Sequence, residues 1–366
     1  MISIFNTYIH PSAKNSIAEL LDSTFLSEGQ VVKDFEKALE QTFGINQVVT
    51  VNSGTAALHL ALVLAGVGEN DEVIIPAQTF VATGLVVVQQ KAKVVFADID
   101  LLTGNISVES IKQKITNRTK AIIPVHWGGY PCNMTEINEL AAKHNLLVIE
   151  DAAHALGATY QQKPIGALSD FTCFSFQAIK HLTTGDGGAI SMKQTNQFEE
   201  AVTRKWFGID RNNAHPTELG ERNYNIQVPG YKYHLNNYAA ALGLANLSNF
   251  HERLSKRRTV AAYYQEELAS VAGITAFESQ TDRESAYWLF PLHVEKRLEF
   301  IRALKAKNIA ASVVHQRIDR NAVFGGLRND LPEQEKFEQT QIHIPIHDAI
   351  DLSKAEYIIA AIKNGW

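Results

Sequence analysis

The residue most open to chemistry is a lysine set among apolar and small neighbours, Lys180 in SFQAIKHLTTGDGGAIS. Desolvation lowers a lysine's proton affinity and frees its amine to attack an aldehyde. Taken alone, the same lysine fits a surface side chain lying along apolar atoms. The glycine-rich Thr183-Thr184-Gly185-Asp186-Gly187-Gly188 turn beside it argues for close backbone approach instead. A second candidate is Asp151 in VIEDAAHALGA, at the carboxyl end of an apolar run that reads as a strand. In open α/β sheets that edge binds ligands, and a carboxylate there can hold a pyridine-type nitrogen protonated. A helix N-cap is the other use of such an aspartate, and Glu150 beside it is equally placed to be the functional acid. The third candidate is the turn Asn52-Ser53-Gly54-Thr55-Ala56-Ala57, between a strand and a helix. Free N–H groups at a helix start attract a phosphate; a threonine-capped turn with no ligand reads the same way.

These residues must be carried by elements, and the pattern says which. From Gln47, β-rich runs alternate with helical ones: QVVTVN, a helix from about Thr55 to Leu64, EVIIPA, a helix through VATGLVVVQQ, and KVVFADID. KAIIPVHW, a helix with Ile137, Leu140 and Ala141 on one face, and LLVIEDA continue the rhythm. Such alternation predicts parallel strands joined by crossover helices, with strands apolar on both faces. After Asp170 it changes to strand, loop, strand (FTCFSF, the Lys180 loop, GGAISM). A helical stretch from Asn236 to about Val271 is expected to bridge two lobes, with a boundary near Asn249. Beyond it, AYWLFPLHV and AASVVHQ read as strands around a helix containing Phe300, Ile301 and Leu304. Ser353 and Glu356 form a capping box for the last helix. No internal repeat or low-complexity tract is visible.

Composition narrows the classes. With 366 residues and 45% hydrophobic positions, the chain can bury one large core and a smaller one. A net charge of -5 supplies no broad basic surface, so neutralising a nucleic-acid backbone is not its task. Cys132 and Cys173 are too few for a disulfide framework and match no metal spacing. The histidines form no ligand-spaced cluster, so no metal is expected. The start, MISIFNTYIHPSAKNS, lacks a basic and apolar leader, and no stretch reaches bilayer length. A cytoplasmic protein with no membrane partner is the expectation.

In order and spacing, NSGTAALHLAL, PAQTFVAT, FADID, VIEDAAHALGA, FSFQAIKHLTTGDGG and GYKYHLNNYAAALGLANL resemble the DegT/StrS group of nucleotide-sugar aminotransferases, within the fold-type I pyridoxal-phosphate (PLP) enzymes. The likeness runs over nearly the whole chain. It implies an α/β large domain, residues 1–249, whose mostly parallel central sheet is flanked by helices. A smaller C-terminal α+β domain, residues 250–366, would follow. Position by position, it implies that Gly54, Thr55, Ala56 and Ser175 contact the cofactor phosphate and that Phe80 stacks on the pyridine ring. Asp151 would pair with the ring nitrogen, His154 would lie near the ring hydroxyl, and Lys180 would be the Schiff-base lysine. A dehydratase branch of the family carries histidine at that position, and His181 is only its neighbour.

One segment departs from the family. Where many members have Gly, an aromatic, Asn, an aromatic, Arg and then Met or Leu, this chain has Gly230-Tyr231-Lys232-Tyr233-His234-Leu235. Lys232 is assigned to the partner subunit's cofactor phosphate as a point charge, with a solvated loop lysine as the alternative. Trp206, Asp210 and Arg211 in RKWFGIDRN, and His315, Arg317 and Arg320 in HQRIDRN, fall where members shape the sugar-nucleotide pocket. Arginines there can hold a diphosphate or form ordinary ion pairs. The resemblance implies a homodimer that moves the amino group of L-glutamate to a nucleotide-linked ketosugar, for amino sugars of O-antigen type. The IKHLTTGDGG loop looks most like enzymes acting at C4 of 4-keto-6-deoxy sugars. A C3 ketosugar, a keto-cyclitol acceptor, or a PLP-binding sensor without catalysis are the competing readings.

Overall fold

The computed structural model describes residues 1–211 and 213–366. Two helices, α1 (Ala13–Ser23) and α2 (Gln30–Phe43), precede the sheet. β1 (Val48–Val51), α3 (Gly54–Leu64), β2 (Glu72–Pro76), α4 (Ala82–Gln89) and β3 (Lys93–Ala97) follow in strict alternation. So do α5 (Val108–Lys114), β4 (Thr119–Ile122), α6 (Met134–His144) and β5 (Leu147–Asp151). β6 (Phe171–Ser175) and β7 (Gly188–Met192) then flank the Lys180 loop without a helix between them. Among the described residues these strands form one seven-stranded sheet, ordered β1-β7-β6-β5-β4-β2-β3. Only β7 runs against the others, pairing antiparallel with both β6 and β1. The reversal follows from the connection: β6 and β7 are joined by a loop with no crossover helix, which returns the chain beside β6 in the opposite sense.

The near-continuous apolar strands are explained by two cores that share them. Ile74, Ile122 and Val148 point into a core with Val32, Phe35 and Leu39 of α2 and Ile137 of α6. Their neighbours Val73, Ile75, Ala121 and Ile149 point the other way, onto Leu58, Leu60 and Ala61 of α3 and Val86 and Val87 of α4. Each fully buried Val, Ile or Leu contributes roughly 1.5–3 kcal/mol relative to exposure, so alternate residues on a strand hold opposite layers.

After α7 (Thr195–Arg204), the expected bridging helix is two helices, α8 (Asn237–Leu247) and α9 (Phe250–Leu268). The chain breaks at Ser248 and Asn249. Phe250 and Leu254 of α9 pack in the large core, whereas Val260, Tyr264 and Leu268 pack in a separate core. The helix itself therefore carries the chain from one core to the other. That second core lies over a three-stranded antiparallel sheet of β8 (Ile274–Ala276), β9 (Phe290–Val294) and β10 (Gln341–Ile344). α10 (Arg297–Ala306), α11 (Pro332–Thr340) and α12 (Leu352–Lys363) complete the chain. Ile2 pairs with Ile309, so the first residues are stitched to this lobe.

Three local expectations are corrected. AASVVHQ is not a strand, apart from a bridge between Ser312 and His343. Val314 has φ +59°, a left-handed conformation costly for a β-branched residue, and the His315 N–H bonds back to the Val313 carbonyl. The chain turns there instead of extending, which brings His315 toward the large lobe. The last helix is capped by Asp351, which accepts from the Lys354 N–H at 2.9 Å, and not by a Ser353–Glu356 box. It begins at Leu352, two residues too early for Ser353 to precede it. α3 is likewise capped by serine rather than threonine, with Ser53 Oγ accepting from Ala56 at 3.0 Å.

Candidate active site

The carboxyl edges of β5 and β6, the end of β1 and the start of β7 meet at one rim. A cavity of about 340 Å³ opens there. It collects Gly54, Thr55, Phe80, Asp151, His154, Ser175, Lys180 and His315 from five separate stretches of sequence.

Its floor is built for an anion. α3 starts at Gly54, and the first N–H groups of a helix have no intrahelical partner. Ser53 takes the Ala56 N–H, so Ala56 is absent from the cavity lining while Gly54 and Thr55 face it. A Cβ on Gly54 would stand 2.9 Å from Ser175 Cβ, so only glycine lets the Ser175 hydroxyl and the helix start converge. Gly188 is tighter still: a Cβ there would lie 2.6 Å from the backbone of Ser53 and Gly54. The glycine-rich turn after Lys180 thus exists to let β7 pass beneath the α3 turn.

The opposite wall is acidic. Asp151 is buried; its Oδ2 accepts from Thr83 Oγ1 at 2.8 Å and its Oδ1 from the Ala153 N–H at 3.2 Å. Thr83 Oγ1 lies 2.7 Å from Thr79 Oγ1; having given its proton to Asp151, it receives one from Thr79. Burial raises the Asp151 proton affinity, with Thr83, Ala153 and Lys180 opposing it. A carboxylate in that condition favours a cationic neighbour. Glu150, the other acid in contention, points away from the cavity: it bonds His126 Nε2 at 2.8 Å and Thr172 Oγ1 at 3.1 Å, all fully enclosed. Because the Cys132 N–H donates to His126 Nδ1, the imidazole proton sits on Nε2 and is given to Glu150.

Lys180 closes the site. Burial pulls its pKa down to about 7, against the attraction of Asp151. Its Nζ rests 3.5 Å from the ring centroid of Trp288. His154 stacks on the same indole with centroids 3.8 Å apart, and its buried Nδ1 has no hydrogen-bond partner among the described residues. Burial first, then Lys180 and neighbouring imidazoles, keep His154 neutral. His315 is held neutral too, at about 4, by burial and Lys180. Phe80 stands at the mouth, 52% exposed, its ring 5.3 Å from that of His315.

The remaining candidates lie elsewhere. Trp206 and Arg211 line a second, open cavity with Phe207, Ile209, Tyr224 and Ile226, and Arg211 pairs with Glu28 at 3.1 Å. Asp210 bonds Asn213 in the same loop. Lys232 sits opposite Trp206 in a bridge, its ammonium 5.7 Å from that ring, and its carbonyl accepts from Asn52 Nδ2. Arg317 is 3% exposed and bidentate to Asp319, and Arg320 reaches Glu338 at 3.5 Å; neither lines the cavity. Thr83 and Trp288 were missed by sequence reasoning. Thr83 ends the PAQTFVAT motif, where its position invited attention. Trp288 hides in AYWLFPLHV, which reads as plain strand.

A lysine with a lowered pKa, a buried carboxylate and a helix-start anion cradle, joined at the ligand edge of such a sheet, define a PLP-dependent enzyme. The donor set fits that cofactor: cradle for phosphate, acid for ring nitrogen, amine for aldehyde. Residues 8–363 match the model of the DegT/DnrJ/EryC1/StrS aminotransferase family, and the chain belongs to that family. GDP-perosamine synthase of Caulobacter vibrioides is 33% identical over 371 residues, covering 99% of this chain and 98% of that protein. UDP-4-amino-4-deoxy-L-arabinose–oxoglutarate aminotransferase of Shewanella sediminis is 31% identical over 368 residues, covering 96% and 94%. The PLP-form of Spr1654 from Streptococcus pneumoniae superposes with TM-score 0.92 at 27% identity, covering 99% of this chain and 98% of that one. The protein is a sugar aminotransferase with PLP as its cofactor. Among the described residues no helix is long and apolar enough to cross a membrane.

Proposed function

We propose that the enzyme transfers the amino group of L-glutamate to C4 of a nucleotide-linked 4-keto-6-deoxy sugar, as a cytoplasmic homodimer supplying amino sugars for surface polysaccharide. The observation that carries the reading is the meeting of Lys180, Asp151 and the Ser53-capped helix start in one cavity. The C4 assignment rests on the likeness of the IKHLTTGDGG loop. It is supported by the 4-amino product in the name of the Shewanella relative, which also names oxoglutarate, the keto acid that glutamate becomes.

When bound, PLP supplies an electron-withdrawing ring that stabilises negative charge on the carbon losing its proton. Asp151, oriented by Thr83 and the Ala153 N–H, keeps the ring nitrogen protonated. Gly54 and Thr55 at the start of α3, with Ser175, hold the phosphate. Phe80 covers the ring and His154 lies at its hydroxyl. Lys180, with its pKa near 7, would move a proton from the glutamate Cα to the cofactor's C4′ carbon in the first half-reaction, and from that carbon to the sugar's C4 in the second. Lys232 of each chain serves the phosphate of its partner. Trp206 and Arg211 flank the sugar nucleotide beside the bridge that joins Trp206 to Lys232. The fold is divided functionally into the cofactor-holding residues 1–249 and a lobe of residues 250–366, which contributes His315 and Trp288.

The test is a panel of nucleotide-linked 4-keto and 3-keto sugars and keto-inositols, with glutamate as donor, followed by mass spectrometry of the aminated product. Turnover confined to a 4-keto-6-deoxy sugar and abolished by Lys180→Ala is expected. Normal turnover by that variant, or exclusive use of another acceptor, defeats the proposal.

A further inference from the structure

Lys180 would be displaced from the cofactor in the first half-reaction and stay free until the second ends, and a lysine stem is flexible, so something must keep its nitrogen in reach. The group beneath it is Trp288. This indole is 2% exposed, and its Nε1–H donates to the Ile179 carbonyl at 2.9 Å, one residue before the lysine. It lies parallel to His154 and to Phe5, whose ring centroid is 5.0 Å away. Its backbone is gripped as well: the Leu289 N–H donates to the Gly128 carbonyl at 3.1 Å, and a Cβ on Gly129 would stand 3.1 Å from the Trp288 nitrogen. The ring is thus immobile while the side chain above it must move.

We infer that Trp288 is a positioning residue for Lys180: its π-face receives the ε-ammonium each time the lysine is freed, and its indole N–H locks the loop that carries the lysine. An aromatic face attracts a cation through its quadrupole, more strongly when both are dry. The ring therefore favours the protonated lysine, against the burial that favours the neutral amine. The two together let one side chain serve as acid and base around neutrality. The inference rests on Lys180 being the amine that holds the cofactor. Other titratable groups face the same nitrogen or its loop: Asp151 at the end of β5, His154, Asp186, His181 and His315. The experiment must leave them untouched.

Tryptophan at position 288 alone is replaced by mono-, di- and trifluorinated analogues, which drain the π-face of charge with almost no change in shape. The full-length, cofactor-free chain is then acylated with acetic anhydride across a pH series. The Lys180 peptide is followed by mass spectrometry, giving the lysine's apparent pKa without any turnover. A stepwise fall, reaching about one unit at the trifluoro analogue, is expected from the size of such contacts. A flat series across the analogues overturns the inference. Trp288→Phe, which keeps a ring and loses the N–H, is expected to slow PLP capture while retaining most of the pKa; capture at the normal rate removes the loop-locking part. Inactive Lys180→Ala with a flat series sinks only the role of Trp288, whereas active Lys180→Ala sinks the aminotransferase mechanism whatever the series reads.

Discussion

At the scale of single residues, the site depends on two groups whose protonation is set by dryness and by each other. Lys180 attacks an aldehyde only as the neutral amine. The rate at which the cofactor-free chain captures PLP should therefore rise with pH, reach half its maximum near 7 and then level off. A lysine at its ordinary value of 10.5 would still be gaining well above that. Stopped-flow absorbance, corrected for the ionisation of free PLP, measures the profile. Asp151→Asn keeps the shape and the Thr83 contact but removes the charge proposed to hold the ring nitrogen protonated. A loss of about 100-fold or more in kcat is expected, as for other preorganised electrostatic groups, with the protein still folded by circular dichroism. Lys180 and Asp151 were legible in the sequence only together. Trp288 was not, because an aromatic in an apolar run is usually core, and only its contact with Lys180 Nζ reveals another use.

At the scale of elements, the phosphate cradle is a matter of backbones lying closer than side chains allow. Gly188→Ala would put a methyl 2.6 Å from the Ser53 and Gly54 backbone. Overpacking of this kind typically costs about 1–3 kcal/mol, and separation of β7 from the α3 turn should weaken PLP retention by at least about tenfold, read by equilibrium dialysis. Asp351→Ala removes a cap far from the cavity. It should cost about 1 kcal/mol in urea unfolding, with cofactor affinity unchanged. The alternation of strands and helices was legible because hydrophobic period reports burial directly. Helix starts and the AASVVHQ turn were not. A cap moves with a shift of one residue, and the left-handed Val314 is imposed by contacts that bring His315 to the cavity.

For the whole molecule, the prediction concerns two chains. Lys232 lies outside the cavity that contains Lys180 of its own chain. If each Lys232 serves the neighbouring cofactor, Lys180→Ala and Lys232→Ala chains are each impaired alone but complement one another when mixed. In a hybrid dimer one site regains both lysines. Random pairing of equal amounts should restore about a quarter of wild-type activity, since half the dimers are hybrids with one of two sites intact. Absence of recovery, with hybrids verified by native mass spectrometry, would place Lys232 in its own chain's site or in none.

What the amino-acid order determined by itself was the layered sheet, the ligand edge and the candidates for the chemistry: one lysine, an adjacent pair of acids and a strand-to-helix turn. These follow from local periodicity, strand ends and motif spacing, which need no knowledge of distant contacts. Tertiary structure alone decided that Glu150 turns away to His126 while Asp151 faces the cavity, that Arg317 is consumed by Asp319, and that an indole from the second lobe underlies the lysine. Each of those outcomes depends on which side of a strand or turn meets its partner, which lies 2 residues away for Arg317, 24 for Glu150 and more than a hundred for Lys180. Sequence spacing does not carry that information.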